Sequence, residues 1–570
     1  MKGIYPIIAV LLLVSCGKPG DTPEGKTTPE GETTPGEETT LRVPQNVRLH
    51  DATETSLTFQ WDPVENATGY NWELKEKESG KVAAVGSTAK RNVEIIGLSK
   101  GTCYVFQVRA ESSSNHSEYC TPVEAKTEGS QAGQEDVKRM CVDAPLVLEL
   151  DSAPTLGTSG LIKVFTSSGK EVDRINLADI ATVNVRSDGV MLPKEQITSA
   201  TEKNTFMDVL SCSGRTRTVH YTPLQVQGKK LIVKLHSGVL DFDTDYYVTV
   251  DESVCGKAVG AGEWEFSTAS APSTTEISVA ADGSGDFCTL QRALTHAADG
   301  AVISLAKGTY PELLYLRDKK NITVKGSSRD GVRIAYPNSE TYMNGSSARC
   351  MWLVENCDRL LLENLTIENT FGEQKGQAET IYFNSGSNAH KLKIENCSLI
   401  SFQDTFLCKG EVWVHNSLIA GHCDYIWGYP KVCLFEDCEI RSRAAGYIIQ
   451  ARVPSSALTG FVFLNCQLSS EEGVSAGTMY LARSAGQTDC FDNVVFVNCT
   501  MGPVIRSEGW LGNPAPNPST PTATSGWREY GSKNASGQAI AGHNSYGKVL
   551  TAEEAAPYSS RDAVLGGSWW

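Results

Sequence analysis

The sequence predicts an all-β protein: a right-handed parallel β-helix over residues 276–570, preceded by two β-sandwich domains. Three observations predict it. The first is a short motif that recurs through the C-terminal half: a polar residue, most often Asn, then often Cys, with Leu, Ile or Met one or two positions on. It falls at Asn364-Leu365, Asn396-Cys397, Asn416-Ser417, Asp437-Cys438, Asn465-Cys466 and Asn498-Cys499, at spacings of 32, 20, 21, 28 and 33 residues. Repeats of that length, made of strands with no helices between them, mark a solenoid whose turns stack on one another. The uneven spacing fits loops of different length at the corners of a fixed coil. The second is period-two alternation of apolar residues across 42–128 and 135–270. The third is punctuation: Gly/Gln/Ser-rich Gly129 to Gln134, and Ala271-Pro272-Ser273-Thr274-Thr275, divide the chain where linkers are expected.

At 570 residues the chain is long enough for two to four domains. Its apolar content of 40% and charged content of 21% are those of a soluble globular protein. A net charge of −16 disfavours nucleic acid as a partner, and an anionic substrate would need locally placed cations. Lys2, the mostly apolar run Ile4 to Val14, and Ser15-Cys16 form a targeting segment too short to span a bilayer. Leu13-Val14-Ser15-Cys16 is similar to a bacterial lipobox. Residues 1–16 are therefore expected to be a lipoprotein signal, with Cys16 the lipidated residue. The expected location is the bacterial cell envelope, anchored by lipid alone, at the outer membrane. Residues 17–41, rich in Pro, Gly, Glu and Thr, cannot build a core and read as a tether.

The first sandwich, 42–128, begins with Leu57-Thr58-Phe59-Gln60-Trp61, whose Leu57, Phe59 and Trp61 share one face. Tyr70 to Leu74 and Tyr104 to Ala110 follow. The strand Trp, the Gly97-Leu98 turn and the Tyr-x-Phe-x-Val-Arg-Ala strand resemble a fibronectin type III module, usually a spacer or adhesive unit. Cys103 and Cys120, on or near its last two strands, are a candidate disulfide. The second sandwich, 135–270, is marked by Ile162 to Phe165, Leu231 to Leu235, Tyr246 to Val250 and Trp264 to Thr268, and resembles bacterial Ig-like modules. It holds no catalytic constellation and reads as a spacer, with carbohydrate binding as the alternative.

Within the β-helix the chemistry centres on Ser401 to Gly428. Asp404 and Asp424 lie twenty positions apart, each in a short apolar run. Twenty residues is about one minimal coil, and equivalent positions on adjacent coils lie about 4.8 Å apart. The two carboxylates are thus expected side by side, where one tends to keep its proton and the other its charge. Cys397, Cys438, Cys466 and Cys499 share one phase of the repeat and read as stacked core residues. No Cys-x-x-Cys pair or clustered His occurs at zinc spacing.

Further stretches accompany the acids in order. Val279 to Phe287 with Thr289-Leu290-Gln291 opens the domain, and Ala293 to Ala298 is expected in a short helix capping the first coil. Gly308-Thr309-Tyr310-Pro311-Glu312, Gly376-Gln377-Ala378-Glu379, Phe402-Gln403-Asp404-Thr405, Gly421 to Gly428, Tyr480-Leu481-Ala482-Arg483 and Gly526 to Tyr530 follow. Together these resemble the pectin methylesterase family (carbohydrate esterase family 8), over a little more than half the chain. The resemblance implies hydrolysis of methyl esters of galacturonate units in pectin. It implies Asp424 as nucleophile and Asp404 as acid/base. Gln377 and Gln403 would be oxyanion donors, Arg483 the residue that fixes the site and contacts the sugar acid, and Tyr425 and Trp427 further substrate contacts. No metal or organic cofactor is implied, pectin is the implied partner, and a monomer is expected.

The chain departs from the family pattern at His422 and Cys423 before the Asp, at Trp427 in place of Phe, and at Ala485 where a stacking Trp is usual. Trp427, Trp510 and Trp527 are candidates to replace that surface. Two alternatives stay open from sequence alone: another pectin-active β-helix enzyme, a pectate lyase or glycoside hydrolase, and a non-catalytic glycan-binding lipoprotein.

Overall fold

The structure, a computed structural model, describes residues 41–77, 79–128, 139–178, 207–212, 215–220, 223–340, 343–371 and 376–570. The expected signal segment with Cys16, nearly all of the expected tether and the 129–134 break lie outside them. The chain divides into two compact units, residues 1–136 and 137–570.

The first unit is a sandwich of a three-stranded and a four-stranded antiparallel sheet. Alternation is strict along Cys103–Glu111, where every second side chain is buried. Leu57, Phe59, Trp61, Tyr70, Leu74, Tyr104 and Phe106 form the core, with the Phe59 and Phe106 rings stacked at 4.0 Å. Cys103 and Cys120 are both free thiols, contrary to expectation. Cys103 pairs across to Lys126 at one end of its strand, while Cys120 sits against Val108, five residues along. Five extended residues span about 17 Å, well beyond the reach of a disulfide, about 7 Å between Cα atoms.

The second unit starts with two more antiparallel sheets, in strand order Glu171–Asn176, Leu161–Thr166, Asp245–Val250, Glu265–Ser267, and Leu224–Gln227, Lys230–Val233, Leu146–Glu149. A hairpin, Met207–Cys212 with Arg215–His220, accompanies them. The core of this module is continuous with that of the β-helix behind it. The Phe242 ring meets Phe287 edge-on at 6.2 Å. Asp143 accepts hydrogen bonds from the Cys288 and Thr289 amides at 2.9 and 2.8 Å, just ahead of the helix Leu290–His296. That helix covers the first coil; it starts earlier than expected because Thr289 caps it, and Ala297 and Ala298 fall outside it.

From Glu276 onward, 24 strands stack in parallel and in register. Each strand pairs with its equivalent one coil later, so the coil has three walls. The recurring Asn or Asp is the corner between two of them. Asn364, Asn396, Asn416, Asp437, Asn465 and Asn498 all have φ between 47° and 57°, a left-handed conformation that Asn and Asp tolerate better than other side chains. The next residue turns inward: Cys397, Cys438, Cys466 and Cys499 are buried, and each thiol meets a backbone carbonyl of the preceding coil at 3.3 to 3.6 Å. Inside one wall, Val414, Phe435, Phe463 and Phe496 occupy one register position on successive coils, the last three stacked at 4.7 and 4.6 Å. The outer face of that wall is also covered, by Leu550, Ala555 and Tyr558 of the C-terminal segment, which explains why Gly460–Leu464 and Val494–Val497 are buried throughout.

Candidate active site

The two acids lie on consecutive coils, in the stretch where the coils carry no inserted loops. Leu418–Glu436 runs as one strand of 19 residues through all three walls. Gln377, Gln403 and Cys423 bridge in parallel on consecutive coils, at a corner different from the Asn corner. Backbone bonds pin the register: Ala378 N donates to Gln403 O at 3.1 Å, and Asp404 N to Cys423 O at 3.0 Å. Asp404 and Asp424 follow one residue on, at φ 63° and 45°, so the corner turns both carboxylates the same way. The expected pairing of these acids across one coil is therefore what the fold produces.

Their surroundings differ. Asp424 is clamped by Arg483, whose Nε donates to Oδ1 at 2.8 Å and whose Nη2 donates to Oδ2. Gln450 Nε2 adds a bond to Oδ2 at 3.1 Å, its own Oε1 held by Arg452 Nε at 3.0 Å. The guanidinium grips both carboxylate oxygens and the amide adds a further bond, so the Asp424 side chain is fixed in one orientation. Asp404 is 3% exposed. Burial first, then the charges of Glu379 and Asp424, push its carboxyl well above the usual carboxylate range, while Arg349 and the Gln377 amide pull the other way. One acid is thus built to hold a proton, and the other is fixed by a guanidinium and an amide.

Arg349 organises the far side of the site, and nothing in the sequence reading pointed to it. With its side chain 6% exposed, it donates to Glu379 (Nη2 to Oε1, 2.7 Å), Glu340 (2.8 Å), Gln377 Oε1 (2.9 Å) and Asp404 Oδ2 (3.1 Å). By holding Gln377 through its oxygen, Arg349 leaves the amide nitrogen to face Asp404. Gln403 is half-buried, and no hydrogen bond to its side-chain amide occurs among the described residues.

Tyr425 is not a surface residue. It is fully buried, its hydroxyl 3.4 Å from Ser442 Oγ. The left-handed turn at Asp424 breaks the alternation, so Tyr425 and Ile426 both join the core, and a contact between Tyr425 and substrate is ruled out. Trp510 and Trp527 are likewise interior, stacked on each other at 5.4 Å, so neither replaces the missing stacking Trp. Trp427 lies in a separate cluster with Tyr382, Leu407, Cys350 and Leu353, the Arg452 guanidinium 4.9 Å over its ring. Beside Asp424, Arg483 lies over Tyr447 at 4.8 Å and Tyr447 stacks on Tyr480 at 5.9 Å. Gln450, like Arg349, was missed. Its signal was positional: Gln450 pairs with Trp427 one coil on from Asp424.

Residues 276–567 match the family model Pectinesterase, and residues 42–126 match the fibronectin type III domain. The chain belongs to the pectinesterase family. Pectinesterase 31 of Arabidopsis thaliana is 31% identical over 253 residues, covering 42% of this chain and 77% of that protein. Pectinesterase/pectinesterase inhibitor 3 of the same plant is 29% identical over 317 residues, covering 52% of this chain and 51% of that protein, so the chain spans about half of that relative's length. Among solved structures, the pectin methylesterase of Aspergillus niger is 26% identical with a TM-score of 0.44, covering 53% of this chain and 96% of that one. The carrot pectin methylesterase is 23% identical with a TM-score of 0.45, covering 53% and 96%. By family, the pectinesterase β-helix is that of a carboxylic ester hydrolase.

Proposed function

We propose that this pectinesterase removes methyl groups from galacturonate esters of pectin, with Asp424 as nucleophile and Asp404 as acid and then base. The observation that supports this most is the contrast between the adjacent acids: Asp424 gripped by the Arg483 guanidinium, Asp404 held protonated by burial and by its anionic neighbours. Ionised Asp424 attacks the C6 carbonyl, and the amides of Gln377 and Gln403 take the developing oxyanion. The C–O bond to methanol breaks as Asp404 gives its proton to the leaving oxygen, leaving an anhydride on Asp424. Asp404, now a carboxylate, takes a proton from water, the resulting hydroxide attacks the anhydride, and Asp424 is freed with a galacturonate. Arg483 orients Asp424 and attracts the uronate chain; Trp427, buried under Arg452, supports the site from behind. Asp424→Ala is expected to abolish methanol release from methylated pectin while the melting temperature stays near that of the wild type. Retained release would remove Asp424 from its role.

We further propose that the chain acts as a monomer, lipidated at Cys16 and held at the cell envelope by that anchor. Incorporation of labelled fatty acid by the wild type, and its loss in Cys16→Ser, tests the anchor.

A further inference from the structure

One side chain of the second module does not serve its own domain. Arg217, on the hairpin strand Arg215–His220, is wholly buried, and its guanidinium reaches into the β-helix. Nη1 donates to Leu314 O at 2.7 Å, Nε to Ala348 O at 3.3 Å, and Nη2 to Met351 O at 2.9 Å and to Cys350 O. Leu314 and Met351 belong to adjacent coils, joined by Leu314 N to Met351 O at 2.8 Å. Ala348 and Cys350 lie at the end of the helical turn Ser346–Arg349, where backbone carbonyls lack partners within the turn. Asn338 Nδ2 holds the same two carbonyls, at 3.0 and 3.3 Å. The residue between those carbonyls is Arg349, which touches Gln377 and Asp404.

The position of Arg349 is demanding. Its guanidinium must lie close enough to Gln377 to aim the amide, yet stay paired with Glu379 and Glu340 so that it does not strip the proton from Asp404. A displacement of about 1 Å at such a site can cost a hundredfold in rate. A planar fork with five donors, satisfied by four carbonyls from two coils, suits the task of fixing that backbone.

We propose that the second module is part of the catalytic unit: Arg217 is a positioning residue that fixes the Ser346–Arg349 turn and, through Arg349, holds Gln377 and Asp404 in working geometry. This rests on the assignment of Asp404 as acid/base. The test uses the full chain, with kcat, KM and the pH profile of methanol release measured for Arg217→Met, Arg217→Lys and Asp404→Asn. Arg217→Met keeps most of the volume and loses every donor; its kcat is expected to fall about tenfold or more with KM little changed. The alkaline limb of kcat/KM is expected to move to higher pH as Arg349 loosens from Asp404. Arg217→Lys, which restores the charge and some donors, is expected to recover part of kcat, and it carries the same test should Arg217→Met not fold. Wild-type kcat and pH profile in the Arg217 variants, with only a lowered melting temperature, would reduce Arg217 to a structural residue. Full activity in Asp404→Asn would instead overturn the acid/base assignment itself, so the two failures are distinguishable.

Discussion

Asp404 carries a cost that its proposed role explains. A carboxyl raised by burial and by Glu379 and Asp424 keeps its proton in the folded chain at pH values where the unfolded chain has lost it. The folded state then binds more protons, so stability falls as pH rises from the unfolded value of about 4 through the folded one. Asp404→Asn is therefore expected to be inactive in methanol release yet more stable than the wild type at neutral pH, by thermal melting across pH 4 to 8. Gln450 makes a second residue-scale test. Its amide is the neutral donor on Asp424, and a hydrogen bond to a charged group is worth about 1.5–3 kcal/mol. Gln450→Leu is expected to lower kcat tenfold to a hundredfold with KM nearly unchanged. The two aspartates were legible in the sequence because the coil from one to the other has no insertion, so spacing along the chain equals one step along the solenoid. Arg349 and Gln450 were not, because their contacts with Asp404 and Asp424 cross 55 and 26 positions through loops of unknown length. Tyr425 misled because the resemblance gives a segment's residues but not the direction each faces, and the left-handed residue before it turns its side chain into the core.

At the scale of elements, the Asn corners and the Glu312 cap account for two of the sequence motifs. Asn465, at φ 56°, has no side-chain hydrogen bond among the described residues, so its value there is conformational. Asn465→Ala is expected to cost about 1 kcal/mol and Asn465→Gly close to nothing, by urea unfolding. Glu312, last in the Gly-x-Tyr-x-Glu stretch, is buried and accepts from the Leu290 and Gln291 amides at 2.8 and 2.7 Å. Burial pushes its carboxyl up to about 7. Stability is therefore lost as pH rises from the ordinary Glu value through 7, by about 3 kcal/mol, and Glu312→Gln is expected to flatten that part of the stability curve. Recognition of the motif in sequence was sound, but its work is to cap the opening helix. The late Gly526 to Tyr530 stretch is likewise interior: Arg528 bonds Tyr558 Oη at 2.7 Å, and Glu529 bonds His543 Nδ1 at 2.8 Å.

For the whole molecule, the boundaries that matter are those of the cores. The first sandwich closes its own core, and a chain without residues 42–128 is expected to keep the kcat and KM of the full protein. The second module shares one apolar core with the β-helix and lends it Arg217. A fragment starting at residue 137 is thus expected to melt cooperatively, and one starting at 276 to melt lower and aggregate, by calorimetry and light scattering. Linker-like composition at Ala271 to Thr275 suggested a spacer because composition reports local flexibility and is blind to a hairpin returning from an earlier module.

The column of thiols behind the Asn corners has a practical consequence. Half-buried Cys103, Cys423 and Cys490 stand apart from the sealed Cys397, Cys438, Cys466 and Cys499. A sulfhydryl reagent added to native protein reaches the first group directly, more slowly at Cys423, whose thiol burial pushes up to about 12, and reaches the second only when the coils separate. Labelling of those four thiols, read peptide by peptide, is then a clock for opening of the solenoid at four heights along its axis, with Ser417 in the place between Cys397 and Cys438, and no probe has to be introduced.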